Sequence, residues 1–189
     1  MTSINCRITE DALNRLAHIA GRSTGDEGDT RETVLLVVSL VEEYVDALLD
    51  RLVDASGAGE SAFGRIMLEK LQTGWHQTWT ARREWLKDGF DVDWSTTSGS
   101  SKFATLLDLR NTLTHGGHAL TGNQTKTLRS QLGLEKHMRD ELLVRFDGRT
   151  IHLSASTAAV AIKVVDDLIR GLDAELSDTP QSVKVATLT

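Results

Sequence analysis

Apolar residues recur along most of this chain at steps of three and four, the spacing that lays them on one side of an α-helix. Between about Thr9 and Ala20, the positions Leu13, Leu16, Ala17 and Ala20 mark a short first helix. The polar stretch Gly21 to Asp29 reads as a loop. Asp29, followed three residues later by Glu32, predicts a capping box that opens the strongest helix of the sequence, running to about Val53. Along it Val34, Val38, Val41, Val45, Leu48 and Leu52 alternate steps of four and three, while Leu35, Leu36, Val37, Leu40 and Leu49 widen the apolar surface beyond one seam. Such a helix is buried on several sides of a bundle, or lends part of its surface to a dimer interface; the two are compatible.

After a glycine-bearing loop from Ala55 to Gly64, the pattern predicts a helix over about Arg65 to Lys87 carrying Leu68, Leu71, Trp75, Trp79, Trp85 and Leu86. At these spacings the tryptophans read as core, although aromatics can also stack on bases, and Arg82 and Arg83 read as a solvated face. A connector from Gly89 to Ser101, with Trp94 inside it, leads to a helix from about Ser101 to His115 whose stripe is Leu106, Leu109 and Leu113. Gly116 and Gly117 then fit a left-handed cap. From Asn123 to about Leu143 the helical pattern weakens, and Gly133 is expected to break it. The period changes over Leu142 to Leu153, where Asp147-Gly148 between two alternating runs predicts a β-hairpin. Ser154 or Ser156 caps a final helix striped by Ala161, Val164, Val165, Leu168, Ile169, Leu172 and Leu176. The sum is an all-α fold, a helical bundle with a small β-hairpin before the last helix.

Composition narrows this picture. A single proline, Pro180, leaves the helical periodicity almost unpunctuated except by glycine, and a length of 189 residues favours one domain over residues 1–176 with a disordered tail at 177–189. With 21 Lys+Arg against 27 Asp+Glu, the net charge of −6 weighs against coating of nucleic acid by counterion release, but not against a local site. The lone cysteine, Cys6, has no intramolecular disulfide partner and reads as inert. There is no apolar run of about 20 residues and no signal-peptide pattern, so the expectation is a cytoplasmic protein with no membrane segment.

Candidate chemistry concentrates in one stretch, Leu109-Arg110-Asn111-Thr112-Leu113-Thr114-His115-Gly116-Gly117. Arg110 stands four residues from Leu106 and thus beside the apolar stripe, where a guanidinium needs an anion or acceptors. Asn111 and His115 are four apart and share a face. Chemistry on a phosphodiester needs a proton carrier near neutral pH and a fixed cation for the crowded phosphorane, and histidine and arginine supply these. At the last turn of its helix, His115 is where the helix dipole favours a cation. The purely structural reading of the same residues is an arginine paired with a carboxylate such as Asp108 or Glu42, and a histidine closing a helix end. His115 and His118 are three apart, as zinc ligands can be, but no second ligand pair has metal spacing, so no metal is expected and His118 reads as a substrate contact.

Taken together, the long amphipathic helix, the tryptophan helix, the Leu-Arg-Asn-x-x-x-His-Gly run and the hairpin before the last helix resemble the HEPN superfamily of helical nucleases, nearest to its RiboL-PSP-HEPN type. The resemblance covers residues of about 33–176. It implies a HEPN-like bundle and a metal-independent endoribonuclease that needs no cofactor, often a toxin or phage-defence effector. By the resemblance Arg110, Asn111 and His115 are the catalytic residues, and two protomers pair so that the active site lies at the dimer cleft. It further implies cleavage of RNA by 2′-hydroxyl attack, giving 2′,3′-cyclic phosphate and 5′-hydroxyl ends, with an antitoxin or sensor as a possible partner. Members controlled by nucleotidylation carry a tyrosine two residues past the motif histidine; here that position is Gly117, and the one tyrosine is Tyr44. The alternative is a non-catalytic RNA-binding, dimerisation or interaction module.

Overall fold

The computed structural model describes residues 7–178, apart from the side chains at 70–73, 75, 177 and 178. The expectations for Cys6, for the tail beyond 178 with Pro180, and for the packing of Leu71 and Trp75 lie outside the described residues. Over that range the chain is all-α with one small hairpin. The helices are α1 (Arg7–Arg22), α2 (Glu27–Ala55), α3 (Ala62–Trp75), α4 (Trp79–Glu84), α5 (Ser100–His115), α6 (Leu128–Leu142) and α7 (Ala155–Asp178). Strands β1 (Arg145–Asp147) and β2 (Thr150–His152) pair antiparallel between α6 and α7, with Phe146 opposite Ile151.

The residues fall into two compact units. One comprises residues up to Leu13, Val41–Ser98 and residues from Ile169; the other comprises Asn14–Leu40 and Gly99–Leu168. In the first, Tyr44, Leu48, Leu52, Leu86, Phe90 and Leu172 are buried, and Thr9 donates to Asp173 Oδ1 at 2.9 Å and lies 3.2 Å from the Tyr44 hydroxyl. In the second, α5 packs against α6. Phe103, Leu106, Leu109 and Leu113 of α5 are fully buried, together with Met138 and Leu142 of α6. Each such side chain contributes on the order of 1.5–3 kcal/mol by leaving water. This row fixes the rotation of α5 and therefore the direction of its polar positions.

The apolar surface of α2 is largely consumed within the chain: Leu35 is half-buried, Leu36 exposed, and Val34, Val37, Val38, Leu40, Val41 and Val45 are buried. The capping box lies three residues earlier than expected. Asp26 Oδ1 accepts from the Asp29 amide, and Asp29 Oδ2 accepts from the Thr24 and Gly25 amides and the Ser23 hydroxyl, so Asp29 sits in the first turn. These bonds hold the Asp29 carboxyl below its ordinary pKa.

The single helix expected over Arg65 to Lys87 is instead two. Thr78, extended at φ −142°, accepts from the Ala81 amide and starts α4 afresh, and a π-helical turn follows at Trp85–Gly89. Nor are Arg82 and Arg83 a solvated face. Arg82 is 6% exposed and forks onto Asp46, Nε to Oδ1 at 2.7 Å and Nη2 to Oδ2 at 2.8 Å, while also lying over the Trp79 ring. Arg83 lies over Trp94, and burial lowers its pKa. Trp79 is half-buried, tilted against Trp94 at 5.6 Å, and donates to Glu42. Of the tryptophans expected as core, Trp79 and Trp85 are only half-buried, and the buried one is Trp94 of the connector.

Gly133 does not break α6. Its cost of about 1 kcal/mol relative to alanine is outweighed by the Thr127 cap and by burial of Met138 and Leu142. The hairpin also turns one residue later than the Asp-Gly signal, with Asp147 paired to Thr150 and the turn at Gly148-Arg149, Gly148 taking φ +56°. Of the two candidate caps for α7, Ser154 is the one in place, its amide and hydroxyl both engaging Thr157.

Candidate active site

With the leucine row of α5 turned inward, the helix brings Asp108, Asn111 and His115 to one neighbouring face, since steps of three and four residues return to nearly the same angle. Together with Thr121, Asn123, Gln124, Ser130 and Leu134, these three side chains line a cavity of about 640 Å³. Arg110 projects elsewhere, about 100° around the helix from Asn111. It is half-buried, and its Nη1 donates to Asn111 Oδ1 at 3.3 Å. Of the residues singled out in the sequence, then, Asn111 and His115 share the cavity and Arg110 joins them through the Asn111 amide. With Oδ1 engaged by the guanidinium, Nδ2 is the end of that amide left to donate into the cavity.

His115 is the last residue of α5 and is exposed. Its helix ends as expected: the Gly116 amide bonds the Thr112 carbonyl at 2.8 Å, and Gly117 takes φ +54°. A Cβ on Gly116 would stand 1.8 Å from the Ala119 carbonyl oxygen, so the chain can fold back this tightly only with glycine there. Arg31 Nη2 donates to the Leu113 carbonyl at 3.0 Å, satisfying one of the open acceptors at the same helix end.

The loop that follows forms the opposite wall. Its hub is Gln124, whose Oε1 accepts from the Thr121 amide, the Thr121 hydroxyl and the buried Thr112 hydroxyl, while Nε2 donates to the Asp108 carbonyl at 2.9 Å. The hairpin holds the loop from outside: the Ile151 amide donates to the His118 carbonyl at 2.8 Å, Ala119 bridges Thr150, and Arg149 Nη2 donates to Thr125 Oγ1. His118, at φ +76°, thus serves the loop through its main chain, and its side chain is not among the cavity's lining residues.

Asp108 is a lining residue that the linear motif does not contain. It lies three residues before Asn111 and seven before His115, so helical periodicity alone places it on their face. Its carboxyl is half-buried, and that burial raises its pKa above the ordinary carboxylate value. The cavity therefore combines a carboxyl group of heightened proton affinity, an amide and an imidazole, a set suited to moving protons around a polar substrate. Among the described residues no three His, Cys, Asp or Glu side chains group as metal ligands, and no helix is long and apolar enough to cross a membrane.

Comparison of the chain with protein-family models, with curated proteins and with solved structures gives no match.

Proposed function

We propose that this chain is a metal-independent endoribonuclease of HEPN type, cutting RNA by attack of the ribose 2′-hydroxyl on the adjacent phosphorus to leave 2′,3′-cyclic phosphate and 5′-hydroxyl ends. The observation that carries the reading is the shared face of α5, on which Asn111 and His115 line one cavity while Arg110 engages Asn111 from its flank. His115 moves a proton, Arg110 contributes the positive charge that stabilises the phosphorane, and Asn111 orients the phosphate. Because the nucleophile is the 2′-hydroxyl, DNA is not a substrate. In this reading two copies pair with their motif helices facing across a cleft, RNA binds there with His118 at its edge, and the protein acts in the cytoplasm as a toxin or phage-defence effector restrained by an antitoxin or sensor.

A second reading, a non-catalytic interaction module, has one observation in its favour. Phe63, Ile66 and Met67 lie at steps of three and one on α3 and are 73%, 52% and 39% exposed. One experiment separates the two readings. Purified protein and its His115→Ala variant are incubated with mixed RNA in excess EDTA, and product ends are analysed for cyclic phosphate. The nuclease reading expects cleavage by the parent and none by a variant whose melting temperature is unchanged; equal activity of the two, or none in either, refutes it.

A further inference from the structure

A cyclising cleavage is an in-line displacement, in which the 2′-oxygen and the departing 5′-oxygen lie on opposite sides of phosphorus. One group must remove the 2′-hydroxyl proton while another supplies a proton to the leaving oxygen. Two hydrogen bonds of about 2.7 Å, one at each end of the oxygen–phosphorus–oxygen line, put the two carriers roughly 9 Å apart. One imidazole cannot reach both ends, so the second proton carrier is either the imidazole of the partner copy across the cleft or a group on the same protomer at about that distance from His115.

The face of α5 offers one. Asp108 and His115 are seven residues apart, about 10.5 Å along the helix axis and within about 20° of the same direction. Both line the cavity, and Asn111 stands between them, one turn from each. Resting on the ribonuclease reading above, we infer that Asp108 is the second catalytic residue of this site, the base that accepts the 2′-hydroxyl proton, with His115 the acid that protonates the departing 5′-oxygen. Asn111 Nδ2, midway, donates to a non-bridging phosphoryl oxygen. The 2′-oxygen–hydrogen bond breaks with its proton passing to the Asp108 carboxylate, the 2′-oxygen–phosphorus bond forms, and the phosphorus–5′-oxygen bond breaks with its electron pair leaving on oxygen. His115 delivers its proton there. The enzyme is left with a protonated Asp108 and a neutral His115, which exchange with water.

The division of roles follows from the two environments. The other lining groups, Thr121, Asn123 and Gln124 from the loop and Ser130 and Leu134 from α6, carry no formal charge, so the lining sets no cation beside the carboxylate apart from His115, the proton donor itself. Burial of Asp108 acts in the same direction, raising its affinity for a proton. His115, at the C-terminal end of α5 and two turns from Asp108, takes the donor's place at the other end of the same face.

The test uses two RNA oligonucleotides, one ordinary and one whose bridging 5′-oxygen at the cleavage site is replaced by sulfur, a leaving group that departs without protonation. Asp108→Asn, which keeps the side chain's shape, is expected to lose about 100-fold or more on ordinary RNA and to recover nothing on the sulfur substrate. His115→Ala, by contrast, is expected to recover most of its loss there. Asp108→Ser, which removes the carboxyl from a smaller side chain, is expected to repeat the Asp108→Asn result. Full activity of both Asp108 variants beside an inactive His115→Ala overturns the inference and leaves the ribonuclease reading standing. Sulfur rescue of Asp108→Asn instead of His115→Ala overturns the assignment of base and acid. A parent protein that cuts neither substrate removes the ribonuclease reading, and this inference with it.

Discussion

Gln124 is the residue on which the cavity wall depends, and its replacement by leucine removes all of that side chain's hydrogen bonds while keeping its bulk. Four are lost: three received by Oε1, from the Thr121 amide at 2.9 Å, the Thr121 hydroxyl at 3.0 Å and the Thr112 hydroxyl at 3.0 Å, and one given by Nε2 to the Asp108 carbonyl at 2.9 Å. At about 1 kcal/mol each the upper bound is about 4 kcal/mol. Gln124 is half-buried, so water replaces part of this, and the single Thr112 hydroxyl proton, shared between Gln124 Oε1 and the Asp108 carbonyl, passes wholly to the latter. The expected cost is therefore about 2–3 kcal/mol, a fall of roughly 5–10 °C in melting temperature for a chain of this size. Differential scanning calorimetry measures it, with Asn123→Ala as the comparison, since Asn123 is the exposed neighbour on the same loop. A fall for Gln124→Leu of less than about 2 °C, or one equal to that of Asn123→Ala, would refute the view that this amide holds the loop to α5.

Two further outcomes follow from the same physics. Asp46→Ala strands the buried Arg82 guanidinium, which then keeps its bond to the His76 carbonyl and its place over Trp79, so a loss of about 3 kcal/mol is expected; a chemical-denaturation midpoint that does not move would contradict it. For Asp108 the sign runs the other way. Burial raises its folded-state pKa, so its stabilising contribution is full below the unfolded carboxylate value of about 4 and is lost as pH rises through the folded value. Asp108→Asn is therefore expected to be at least as stable as the parent at pH 7 and to lose that advantage below about pH 4, measured by thermal unfolding across pH; a variant less stable at pH 7 would oppose this.

The fold was legible wherever one apolar period ran long enough to dominate. Helices α2, α5 and α7, and the change of period at the hairpin, all followed from spacing alone. What escaped was decided by contacts far apart in sequence or by single hydrogen bonds. The break between α3 and α4 depends on the Thr78 hydroxyl capping the Ala81 amide inside a segment whose apolar residues keep one helical spacing. Arg82 looked solvated because its partner, Asp46, lies 36 residues earlier. Gly133 looked like a breaker because propensity was weighed without the buried Met138 and Leu142 that hold its helix in place.

The site was half legible for a related reason. A motif is written in linear order and draws attention to neighbours such as Arg110 and Asn111, whereas a helix sorts residues by angle. Adjacent residues diverge by about 100°, while positions three, four and seven apart converge. Applying that rule to His115 selects Asn111 and Asp108 and sets Arg110 to one side, which is the arrangement found around the cavity. The far wall was not recoverable in this way. Gln124 reads as an ordinary polar loop residue, and it gains its role because Gly116 permits a close return of the chain and the β1–β2 hairpin holds that return in place. The double glycine therefore does more than end α5: it turns a polar helix face into a walled cavity, and a side chain at Gly116 would alter the site without touching any of the residues that line it.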